Sequence, residues 1–151
     1  MEQIVVEGDR MAAKFLDLAD QDISAYDQVM TAMRMPKTNP QEHANRDEAV
    51  QKATMQAALI PLDTLRTLAD LVGFIEKAVT RGNRNCLSDA GVAVGLTRSA
   101  ALGASYNVRI NLQSITDRAS AKPLKNELDL LCDRIFPTLE KLEHDIEEYL
   151  E

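Results

Sequence analysis

Tryptophan is absent from the 151-residue chain, tyrosine and phenylalanine number 3 each, and there are only 2 cysteines, 5 prolines and 6 glycines. Each scarcity excludes something. Cys86 and Cys132 have no near neighbour of their own kind and no histidine at ligand spacing, which removes a disulfide framework, a zinc motif and thiol redox chemistry. His43 and His144 sit among charged residues and read as surface groups, so no metal is expected. The longest purely apolar stretch falls far short of the roughly 18 residues of a membrane span, and Met1–Glu7 lacks the basic flank and apolar region of a signal peptide. A soluble cytoplasmic protein without a membrane partner is the expectation. Positive charge is also in deficit: the net charge of -7 argues against a nucleic-acid partner, which would need clustered Lys and Arg on a broad face. What remains is 45% hydrophobic and 27% charged, enough for one domain with a core of its own.

Apolar residues recur at threes and fours, never in a sustained alternation by twos, so the chain reads as all-α. A first helix is expected from about Gln3 to Met35, ending before Pro36. Asn39-Pro40-Gln41-Glu42 opens a second, with Asn39 as N-cap, Pro40 in the first position and Glu42 returning a capping-box bond. Pro61 should kink or divide that helix before it ends near Arg81-Gly82, with Gly82 as C-terminal cap. The loop Asn83-Arg84-Asn85 leads to a helix over about Ser88–Ile115. A last helix runs from about Lys122 to the end, bent at Pro137, with Leu124, Leu128, Leu131, Ile135, Leu139, Leu142 and Ile146 as its core seam.

Two features exceed a plain helical bundle. On a wheel of about 100° per residue, Asp22 falls within an arc of about 80° shared with Met11, Phe15, Leu18, Tyr26, Val29 and Met33. Asp9, Asp17, Asp20 and Asp27 point away from it. A carboxylate on an apolar face is costly unless it is paired or used, so Asp22 is either bonded to an arginine of another helix or chemically active. The second feature is Gly91, Gly95, Ser99, Gly103, Asn107 and Asn111, a ridge at every fourth position. Its small residues suit close helix packing, within the chain or across a dimer interface. Asn107, Arg109 and Asn111 read as the wall of a polar pocket or as an interior hydrogen-bond network, with Arg109 on the same ridge.

Asp20-Gln21-Asp22-Ile23-Ser24-Ala25-Tyr26, then Met33-Arg34-Met35-Pro36-Lys37, Gly82-Asn83, Ser88-Asp89-Ala90-Gly91-Val92 and Tyr106-Asn107-Val108-Arg109-Ile110-Asn111-Leu112 follow one another at characteristic spacing. Over about residues 8 to 120 the chain resembles the cyclodeaminase and methenyltetrahydrofolate cyclohydrolase family. The resemblance implies a multihelical array containing an up-and-down four-helix bundle, usually dimeric. It also implies a tetrahydrofolate derivative as substrate: members hydrolyse 5,10-methenyltetrahydrofolate to 10-formyltetrahydrofolate, or release ammonia from 5-formiminotetrahydrofolate. The second Asp of the family motif is its proposed acid-base, and that position is Asp22.

Tyr26, one turn on, is either a core residue or a contact to the pterin. Lys37, Arg81, Arg84 and Arg109 are candidates for the glutamate carboxylates of a folate, with Arg109 the foremost. Asp89 reads as a first-turn charge or a ligand contact. Asn107 and Asn111 complete the expected substrate-binding set. Family members ordinarily begin with a glycine- and alanine-rich segment that has no counterpart here. A domain incomplete at its N-terminus, hydrolytic because no formiminotransferase domain accompanies it and inclined to self-associate, is therefore the expectation.

Overall fold

The computed structural model describes residues 2–151, with side chains from Val6 onward. Four helices carry the chain: α1 (Glu2–Met33), α2 (Pro40–Arg81), α3 (Leu87–Ser114) and α4 (Arg118–Leu150), with a single 3-10 turn at Arg84–Cys86. No strand occurs among the described residues, and none of their helices is long and apolar enough to cross a membrane. Short connections make neighbouring helices run up and down. The 42-residue α2 is the spine: α1, α3 and α4 all pack against it, and α4 also packs on α3.

The core lies where α2, α3 and α4 meet, around Leu62, Leu65, Val94, Val108, Leu128, Ile135 and Leu139, each at most 1% exposed. The α4 seam is as the heptad-like spacing requires: Leu128, Ile135, Leu139, Leu142 and Ile146 are buried, while Leu124 and Leu131 are partly buried against them. On α1 the same logic holds for Met11 and Leu18, but Tyr26 is 61% and Met33 46% exposed, so the apolar arc read from the wheel is wider than the face that is covered.

Helix ends follow local chemistry. The Asn39 side chain accepts from the Glu42 amide at 2.9 Å, which starts α2 as expected. Glu42 reaches back one residue further than a capping box: its carboxylate accepts from the Thr38 amide at 2.8 Å and the Thr38 hydroxyl at 2.7 Å. Those bonds hold the Glu42 carboxyl below its usual range. Gly82 ends α2, its amide donating to the Ala78 carbonyl at 2.9 Å, and a Cβ at this position would collide with that same oxygen. Asp117 caps α4, accepting from the Ala119 and Ser120 amides.

Pro61 does not divide α2. The helix continues through it with Pro61 buried, and α4 likewise continues through Pro137. The missing N–H of a proline leaves the carbonyl four residues earlier without its helical donor, here that of Ala57. The Asn111 side-chain amide of α3 donates to the Ala57 carbonyl at 3.2 Å and supplies what Pro61 lacks. Three further ties hold the array. The Arg66 guanidinium spans Glu127 of α4 with two bonds of 2.6 Å. Gln51 donates to the Ser114 carbonyl at 3.1 Å and accepts from the Thr116 amide at 2.7 Å, fixing the α3–α4 turn on α2. Arg84 donates to the Tyr149 hydroxyl at 2.7 Å and stacks 4.5 Å from its ring centroid.

Candidate functional site

Because α1 and α3 both lean on α2, a groove of about 510 Å³ opens between them, floored by Val50, Thr54 and Ala57 of α2. One wall is Asp22, Ile23, Tyr26, Val29, Met30 and Met33; the other is Asn107, Ile110, Asn111 and Ser114. Asp22 also borders an adjoining hollow of about 240 Å³, with Phe15, Thr64, Gly103 and Asn107 around it. It is therefore the carboxylate at the junction of two depressions.

The helical period puts Asp22 there. It follows Leu18, which is buried on α2, by four residues, and precedes Ala25, also buried, by three; that register turns its side chain toward α3. Asp22 is half-buried and forms no ion pair and no side-chain hydrogen bond among the described residues. An arginine partner from another helix, one of the alternatives open in the sequence, is absent. Across the groove the Asn111 amide, already bound to the Ala57 carbonyl, also donates to the Asn107 Oδ1 at 3.2 Å. Asn107 is thus held by its oxygen, and its amide nitrogen remains available to the groove.

The expected site residues divide into two groups. Asp22, Tyr26, Asn107 and Asn111 come together in the groove. Arg109 does not share the asparagine ridge: it lies on the other side of α3, in a cavity with Arg118 and Lys125. Two residues along a helix are about 200° apart, so Arg109 cannot face the way that Asn107 and Asn111 do. It sits instead beside Cys132, whose thiol is pushed up by burial and pulled back in part by this guanidinium.

Lys37 is exposed in the α1–α2 connection and does not line the groove. Asp89 is exposed in the first turn of α3, roughly 27 Å along the helix from Asn107 at 1.5 Å per residue. Arg84 is engaged by Tyr149, and Arg81 is exposed at the end of α2. No lysine, arginine or histidine lines the groove among the described residues.

Sequence reasoning did not find Ile23, Ile110 and Thr54. The signal for the two isoleucines was present in their period with Tyr26 and Tyr106, but Thr54 lies in an alanine-rich turn with nothing to mark it. Of the three glycines on that ridge, a Cβ added at Gly91 would come into ordinary contact with Ile146 at 3.8 Å, whereas one added at Gly95 or Gly103 would meet nothing within 4 Å. None of these glycines is therefore required by close helix packing within the chain.

A pocket with one free carboxylate, a fixed amide pair and an apolar wall can bind a partly apolar molecule and move a proton to or from it. The comparisons with known proteins agree in kind. The formiminotransferase-cyclodeaminase family model matches residues 1–130. The chain belongs to that family. Methenyltetrahydrofolate cyclohydrolase of Methylorubrum extorquens is 30% identical over 146 residues, covering 92% of this chain and 70% of that protein. The formimidoyltransferase-cyclodeaminase of Sus scrofa is 32% identical over 120 residues, 80% of this chain but only 22% of the pig protein, so the chain spans about a fifth of that relative. The crystal structure of formiminotetrahydrofolate cyclodeaminase from Thermotoga maritima superposes over 100% of this chain and 71% of its own, with a TM-score of 0.86 at 29% identity.

Proposed function

We propose that the chain hydrolyses 5,10-methenyltetrahydrofolate to 10-formyltetrahydrofolate in the α1–α3 groove, with Asp22 as the acid-base. The observation that carries this reading is an unpaired carboxylate, half-buried, at the junction of two depressions in a folate one-carbon family member. The bridge carbon of the substrate is an amidinium electrophile. Asp22 takes a proton from the attacking water and gives it to the N5 nitrogen as its bond to the bridge breaks, while the remaining hydroxyl proton leaves to solvent as the formyl C=O forms on N10. Its negative charge also offsets the cationic bridge before attack. Tyr26 packs on the pterin, and the Asn107 amide donates to an acceptor at its edge.

Ammonia release from 5-formiminotetrahydrofolate is the second reading, favoured by the names of the pig relative and of the Thermotoga structure. The same carboxylate would protonate the departing nitrogen. Loss of methenyltetrahydrofolate absorbance, followed where spontaneous hydrolysis is slow, separates the two when run beside an ammonia assay on the formimino substrate. Protein-dependent decay that falls by about 100-fold or more in Asp22→Asn supports hydrolysis. Full turnover in a folded Asp22→Asn protein would remove Asp22 from the role, and ammonia release without decay would replace the first reaction by the second.

We also propose a second copy of this chain as the partner. The groove is rimmed by exposed apolar residues on both helices, and a homodimer would roof it and exclude water from the reaction.

A further inference from the structure

On the side of α3 away from Asp22, the last turns of α3 and the first half of α4 border an open cavity of about 400 Å³ whose rim carries the exposed cations Arg109, Arg118 and Lys125 against a single carboxylate, Asp129. The chain as a whole is at -7, so three cations facing one carboxylate run against its overall charge. Their existing partners do not account for them. Lys125 holds Asp129 at 2.6 Å. Arg118 donates to the Leu112 and Gln113 carbonyls at 3.1 and 3.5 Å, which fixes its guanidinium with further donors free. Arg109 has no acidic partner among the described residues. Buried Leu112 and Leu128 form the apolar side of the cavity, beneath the exposed cationic heads, which together set up a local positive potential.

We infer that this cavity binds a multiply charged oxyanion, carboxylate or phosphate, between Arg109, Arg118 and Lys125. Planar guanidinium groups pair with such oxygens by two parallel hydrogen bonds, and the fixed Arg118 presents its donors without further ordering. The volume suits a di- or trianion with a few carbon atoms. The oxyanion has two sources. It is a free metabolite, or it is the carboxylate tail of a ligand seated in the groove that reaches around α3: Ile110 and Ser114 line the groove while Leu112 and Gln113, in the same helix turns, line the cavity.

Calorimetric titration of the full chain with pyrophosphate and with citrate at low ionic strength tests the site. Saturable binding at one site per chain is expected, weakened about tenfold or more in Arg109→Gln and in Lys125→Gln, as for loss of one charge-assisted contact. Lys52→Gln, on the exposed surface of α2 away from the cavity, should bind within about twofold of wild type. Absence of saturable binding, or binding undiminished in both cavity variants with their melting temperatures intact, overturns the proposal. A 5-formyltetrahydrofolate bearing three γ-linked glutamates distinguishes the sources. If citrate competes with it and Arg109→Gln abolishes its advantage over the monoglutamate, the oxyanion is the tail. Independent binding of the two assigns the cavity to a free anion. Pyrophosphate binding without any folate binding upholds the cavity and fails only the folate reading.

Discussion

Asn111 illustrates how one side chain can serve a fold and a site together. Its amide fills the acceptor that Pro61 leaves open on Ala57 and at the same time grips Asn107 across one turn of α3. The substitution Asn111→Ala should therefore cost about 1–2 kcal/mol, because a partly buried carbonyl loses its donor. In a Pro61→Ala background the helix recovers its own N–H at that position, and the same change should cost less by about 1 kcal/mol. Chemical denaturation of the four proteins measures the coupling; strict additivity would mean that the proline and the asparagine are unrelated. The sequence contained both residues, 50 positions apart, but nothing local links a missing N–H in one helix to an amide in another. Asp22 was legible because a charge on an apolar arc is a local contradiction. Arg109 was misplaced because its proximity in sequence to Asn107 and Asn111 was read as proximity in direction, when a step of two residues reverses the face.

At the scale of elements, the helices were legible almost to their ends because caps are written in consecutive residues. Asn39→Ala should lower stability by about 1 kcal/mol, measurable as a shift in the denaturation midpoint with unchanged slope. What holds the elements together was less visible, since the Arg66–Glu127 pair joins residues 61 positions apart. Arg66 holds the Glu127 carboxyl below its usual value of 4.5, by hydrogen bonding first and charge second. A carboxyl whose value is lowered by folding contributes stability that is complete above the unfolded value and is lost as pH falls through the folded one. The side chains are 41% and 37% exposed, so the contribution is modest, about 1 kcal/mol. Between neutral pH and the range below pH ~4, wild type should lose more stability than Glu127→Gln, and equal pH slopes would show that the pair carries no net weight.

At the scale of the molecule, large apolar side chains of α1 and α3 are left uncovered. Leu16, Ile23, Tyr26 and Met33 on α1, with Val92, Leu96, Tyr106 and Ile110 on α3, are 46–71% exposed. Together they leave on the order of 1,000 Å² of mostly apolar surface in water, comparable to the ~800 Å² that each partner contributes to a standard interface. Periodicity marks Tyr26 and Met33 as apolar-face positions but cannot say whether a neighbour covers them, which is why Tyr26 stayed open between a core residue and a ligand contact. Four of the eight line the groove with Asp22, which makes coverage of this face and enclosure of the site one event. Gly95 and Gly103, open on α3, would let a second backbone approach closely. Sedimentation equilibrium at micromolar concentration should show a dimer that persists in high salt, as apolar burial requires. Leu96→Glu, outside the groove, should yield a monomer of unchanged helicity, because a charge on this face costs nothing in water and is expensive once buried. Turnover per chain should then fall with dissociation although Asp22, Asn107 and Asn111 are untouched. A wild-type monomer at these concentrations would mean that the face is covered by something other than a second copy.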